Sequence, residues 1–213
     1  MAFVPYITSD EFQAWAQIAG LSKSDQMDMI RDATTVAIDE YCQRHFWQDG
    51  TLAQPVARTF EVSHPCQFSL HDGTVGGDLS TVVAPTVETD EAGDGTYETL
   101  WAAGDFQLLP YNRPTGRPHT KVKAVAGRRF PVSYGTGRSD QVRITGVWGW
   151  NAVPVNVKQA CKIKALKLLT RMQSPNGVAG VGDFGPIRIS RFEDPDVVSL
   201  LDPYRHPATV LVA

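Results

Sequence analysis

Cysteine, charge of one dominant sign and long apolar runs are all scarce in this sequence, and each shortage excludes a class of protein. The three cysteines, Cys42, Cys66 and Cys161, are odd in number and widely spaced, which argues against a disulfide framework and predicts reduced thiols. No apolar stretch nears the ~18 residues that a membrane span requires. The opening Met1 to Asp10 has neither the basic nor the apolar region of an export signal, so the expectation is a soluble chain made in a cytoplasm with no membrane partner. Twenty Lys+Arg against 23 Asp+Glu leave a net charge of -3, too mild for a general nucleic-acid binder. The doubled C-x-x-C of a zinc site, the Gly-Lys-Ser/Thr of a phosphate loop and the G-x-S-x-G of a nucleophile elbow do not occur.

What is present reads as globular. At 213 residues, with 42% hydrophobic and 20% charged side chains, the chain is long enough for one large domain or two small ones that need no staples. Its charge is sorted along the sequence. Residues 1–50 carry -5 and 51–105 carry -8, whereas 106–150 carry +7 and 151–213 carry +3. Such sorting suits a head-to-tail contact between copies, with Asp28, Asp32, Asp39 and Glu40 facing Lys158, Lys162, Lys164 and Arg171 of the next subunit. Pairing of the two halves within one molecule explains the same pattern.

Periodicity divides the chain in three. Thr8 with Glu11 forms a capping-box pattern ahead of Phe12, Trp15, Ala16 and Ala19, which predicts a short helix closed at Gly20. A second helix starts at Ser22 or Ser24, lines Met27, Ile30, Thr34, Ala37, Ile38, Tyr41 and His45 along one side, and ends near Phe46 to Gly50. From Thr51 to Trp150, turn residues punctuate short alternating segments such as Cys66-Phe68-Leu70 and Val142-Ile144-Trp148, the pattern of an antiparallel sheet. Pro154 then opens a helix to Gln173 with Val157, Cys161, Ala165, Leu168, Leu169 and Met172 on one stripe. Ile163 and Leu166 lie off that stripe and imply a neighbour on a second side. An edge strand over Ile187 to Phe192 and a short helix from Asp194-Pro195 through Leu201 complete the reading. The expected fold is α+β: a discontinuous helical core from residues 1–50 and 151–213, with an antiparallel β insertion at 51–150.

Candidate chemistry is thin. Gly180-Val181-Gly182-Asp183-Phe184-Gly185 spells the dinucleotide fingerprint, but a helix precedes it and a strand follows, the reverse of the order that motif needs. Cys42, His45, His64, Cys66, His71 and Asp72 could be drawn as a zinc site, yet their spacing is irregular, and a histidine on an apolar stripe is more simply a packed one. Cys161 sits in mid-helix, where a thiol is inert. Asp90, Glu91 and Asp94 lie among glycines and read as a solvated loop tip. No metal, cofactor or enzyme activity is implied. The lysines of the last long helix leave a nucleic-acid-binding module as the alternative function.

The ends of the chain carry a resemblance. Tyr41-Cys42-Gln43-Arg44-His45-Phe46, Gly146-Val147-Trp148-Gly149-Trp150 with Val153-Pro154, Ser174 to Gly180, Ile187-Arg188-Ile189-Ser190, Asp194-Pro195-Asp196-Val197, Leu200-Leu201 and Pro203-Tyr204-Arg205 resemble the head-to-tail adaptor (connector) proteins of long-tailed bacteriophages. The resemblance covers about half the chain and implies a virion protein of the phage neck. It implies no enzyme but a homo-oligomeric ring, twelve-fold by resemblance, that docks on the portal protein, meets a downstream neck or tail-completion protein and continues the DNA channel. The segment Gly177 to Ala213 is then expected to order on docking, with Phe192, Leu200, Leu201, Tyr204 and Arg205 as anchors for the partner and Ile163 and Leu166 at the subunit interface. The β insertion exceeds that of the smallest helical adaptors.

Overall fold

A computed structural model of the chain describes residues 3–17, 24–71, 77–132, 140–173, 178–179, 187–188 and 194–206. The fold is α+β, with helices near both chain ends flanking a central antiparallel β region. The chain resolves into two compact units, one spanning 44–152 and the other joining 2–43 to 153–213.

The helical unit is built from α1 (Ser9–Ala16), α2 (Ser24–Cys42), α3 (Val155–Gln173) and α4 (Pro195–Leu201), the last running into a 3-10 turn at Asp202–Tyr204. Thr8 caps α1 by accepting the Glu11 N–H at 3.0 Å, the first half of the expected capping box. That helix stops at Gln17, in the left-handed region at φ 55, before the glycine at which the sequence predicts its end. The core of this unit is Met27, Ile30, Ile38 and Cys42 of α2 with Val157, Ala160, Cys161, Ala165 and Leu169 of α3. Leu168 is only half-buried and Met172 is 53% exposed, so the expected α3 stripe is narrower and turned toward Ala160. Asp194 caps α4 by accepting the Asp196 N–H at 3.0 Å, with Pro195 in the first turn and Val197 and Leu201 buried. Val178–Ala179 pairs antiparallel with Ile187–Arg188. The Gly180 to Gly185 string and Phe192 lie outside the described residues.

The expected end of α2 near Phe46 to Gly50 is a correction. It ends at Cys42, because Gln43 takes a φ of 53 and turns the chain out of the helix. His45 therefore leaves the helical stripe and stacks on Trp47 at 4.2 Å between centroids.

The β unit contains β1 (Gln48–Asp49), β2 (Val56–Phe60), β3 (Gln67–Ser69), β4 (Thr86–Thr89), β5 (Thr99–Trp101), β6 (Phe106–Leu109), β7 (Lys121–Ala124), β8 (Val142–Gly146) and β9 (Trp148–Gly149). One sheet has the order β2-β8-β4-β5, a second β3-β7-β6, and β1 pairs with β9; all neighbours are antiparallel. Alternation puts Phe60, Phe68, Val87, Val122, Val142 and Ile144 inward, where they join Leu79, Trp101, Phe130 and Trp148 in one core. Phe130 stacks on Trp101 at 4.5 Å and meets the edge of Phe68 at 4.9 Å. Cys66 departs from the alternation expected of it and is exposed. Gly149, at φ 92, must be glycine: a Cβ there would lie 1.9 Å from the Trp47 carbonyl oxygen.

Candidate functional site

Residues of the resembling segments meet one another in both units, across more than a hundred positions of sequence. In the helical unit the Tyr41 hydroxyl donates to Asp202 Oδ1 at 2.6 Å, the Arg205 guanidinium lies 5.2 Å from the Tyr41 ring centroid, and the His206 N–H donates to the Cys42 carbonyl at 2.9 Å. Burial, reinforced by the bond to Asp202, pushes the Tyr41 phenol up to about 12. The last turn of α2 is thus clasped by the turn that follows α4. In the β unit Arg44 and Asp78, both buried, form an ion pair at 3.6 Å, and the Trp150 indole donates to Asp78 Oδ2 at 3.0 Å. Phe46 packs on Trp150 at 5.2 Å. Burial raises the Asp78 carboxyl, and Arg44 and Trp150 oppose that rise by stabilising its charge.

Several expected contact residues are already engaged within the chain. Lys162 bonds Glu11 Oε1 at 2.9 Å, and this bond holds the Glu11 carboxyl below its usual range. Arg31 lies between Asp28 at 2.9 Å and Asp32 at 2.8 Å, with Ser9 also donating to Asp28 at 2.6 Å. Asp39 is half-buried and accepts the Tyr6 hydroxyl; burial, opposed by that hydrogen bond, pushes its carboxyl up to about 7. Lys162, Asp28, Asp32 and Asp39 thus each have a partner within the chain, while the Asp28 and Asp32 side chains stay 45% and 42% exposed. Glu40 and Arg171 are exposed, while Lys158, Lys164, Ile163 and Leu166 are half-buried.

The C-terminal anchors divide. Leu201 is 1% exposed, a core residue of the helical unit and not a partner contact, because α4 turns its apolar side onto α3. Leu200, Tyr204 and Arg205 are half-buried. Within the segment expected to order on docking, residues 194–206 form α4 and the turn that clasps α2.

Of the nucleophile and metal candidates, Cys42, His45 and Cys161 are buried, His64 and Cys66 are exposed, and Asp72 lies outside the described residues. Burial pushes the Cys161 thiol up to about 12, opposed by a hydrogen bond to Thr35, so thiolate is scarce at neutral pH. Burial, then Arg58, holds the His45 imidazole down at about 4. Among the described residues, Asp90, Asp94 and Glu98 bring their carboxylate oxygens within 4.8 Å of one another, a hard-cation set absent from the sequence reading. Asp90 is buried, not solvated at a loop tip as expected, and it accepts the N–H groups of Gly93 at 2.6 Å, Asp94 at 3.3 Å and Gly95 at 2.6 Å. Glu98 accepts the Ala92 N–H at 3.3 Å. These amide bonds hold the loop and leave further acceptor sites on Asp94 and Glu98. The connection between β4 and β5, and not a helical period, brings Asp90, Asp94 and Glu98 together, so their spacing in the sequence gives no signal of the group. No protein-family model matches the chain, and no curated protein sequence is significantly similar to it.

Proposed function

We propose that this chain is a structural subunit of the neck of a long-tailed bacteriophage, forming a ring that joins the portal to the tail and continues the DNA channel. The carrying observation is the clasp of Tyr41 and Cys42 by Asp202, Arg205 and His206. The stretches that carry the adaptor resemblance at opposite ends of the sequence close one helical unit, an arrangement that suits a small subunit with an internal insertion. The pairing of Arg44 and Phe46 with Trp150 inside the β unit supports the same reading.

The proposed role is assembly; burial keeps Cys161 a thiol and His45 a neutral imidazole, which agrees with that reading. The partners are further copies of the chain, the portal protein and a downstream neck or tail-completion protein, and DNA passes without base readout. Gradient sedimentation with purified cognate portal tests the reading. The protein should travel with the portal in fixed stoichiometry, and a protein that stays at the top of the gradient would remove it.

A further inference from the structure

Helix α2 carries apolar residues on two sides. Met27, Ile30, Thr34 and Ile38 are buried, but Met29, Ala33 and Val36, at i, i+4 and i+7 on the opposite side, are exposed, Met29 by 70% and Val36 by 45%. Asp25, Asp32 and Glu40 run along that same outer side. Over its 19 residues α2 has five acids and one arginine, whereas the 19 residues of α3 have five cations and no acid. The rows even share a spacing. Asp25, Asp28 and Asp32 stand at i, i+3 and i+7, as do Lys164, Lys167 and Arg171.

The geometry points to α3 of a second copy as the occupant of the outer side of α2. Met29 and Val36 pack on Ile163 and Leu166, which are half-buried in their own chain, while the acidic row meets the basic row. Pairing with Arg31 does not remove Asp28 and Asp32 from this contact, because their side chains remain 45% and 42% exposed. A contact between two different helices is heterologous, so it repeats from copy to copy until it closes. This joint rests on the ring reading and names the surface that such a ring would use. The exposed seam is hard to see in the sequence because the helical period of α2 is dominated by its core side.

The full chain carrying Asp25→Lys and Asp32→Lys presents two basic helices, and the chain carrying Lys164→Glu and Lys167→Glu presents two acidic ones. Analytical ultracentrifugation should show each variant associating at least about tenfold more weakly than the parent, with circular dichroism unchanged. An equimolar mixture should recover association, since each sign then finds its opposite. Val36→Asp should weaken association in any salt, and charge reversal chiefly in low salt. Variants that associate like the parent, or a mixture that does not recover, would overturn the α2-to-α3 joint while leaving a ring built on other surfaces intact. A parent chain monomeric up to millimolar concentration would overturn the joint as well, and portal binding separately reports on the neck reading.

Discussion

The hydroxyl of Tyr41 and the carboxylate of Asp202 are 161 residues apart in sequence and 2.6 Å apart in space. This bond closes the end of α2 against the turn after α4, with Arg205 over the same ring. Replacing Tyr41 by Phe should destabilise the helical unit by about 0.5–1.5 kcal/mol. A double-mutant cycle with Asp202→Asn in urea denaturation should show coupling between the two positions, and strict additivity would mean that the bond carries no stability.

The α3 core gives a sharper contrast. Leu169 is 6% exposed and Met172 is 53% exposed on the same helix. Leu169→Ala should cost about 2–5 kcal/mol, whereas Met172→Ala should stay within about 0.5 kcal/mol. Equal losses at the two positions would reverse the assignment of the buried face.

Asp39 makes the helical unit sensitive to pH. Its carboxyl has an ordinary value of 3.8 and is raised to about 7 in the fold, chiefly by burial. The folded state therefore binds the proton more tightly than the unfolded state. The resulting stabilisation is fully present below about pH 4 and is lost as pH rises through about 7. Asp39→Asn should be more stable than the parent at pH 8, on the order of 1–4 kcal/mol, and the gap should narrow toward pH 5. Comparing the two proteins at each pH cancels the titration of His45 and Glu11. A gap that is constant across this range would show that Asp39 does not titrate there.

Gly149 tests the β unit. Its φ of 92 leaves no room for a side chain, since a Cβ would stand 1.9 Å from the Trp47 carbonyl oxygen. Gly149→Ala should cost about 1–3 kcal/mol from the backbone conformation, with the steric overlap adding to it. Thermal unfolding followed by tryptophan emission should report the loss, since Trp148 is buried in the same core.

Local signals in this sequence are legible where one turn of chain decides the outcome. Thr8 with Glu11 and Asp194 with Pro195 mark helix starts because cap chemistry acts over three residues. The change from helical to alternating periodicity likewise marks the α+β fold. Periodicity misplaces His45 because the pattern of α2 continues on paper through Gln43, whose left-handed backbone breaks it. Composition does not show that Lys162, Asp28 and Asp32 also pair within the chain, because it counts charges without their partners. Glu11 and Arg31 become those partners only after the helices pack.

Assembly of the chain as a ring beneath a portal is open to electron microscopy of the chain mixed with its cognate portal. Class averages should show an added ring of density coaxial with the portal channel, and that ring should be lost for a chain truncated after Gln173, which lacks α4 and the clasp on Tyr41. Portal particles without added density at saturating protein, or chain bound as single copies off the axis, would contradict it.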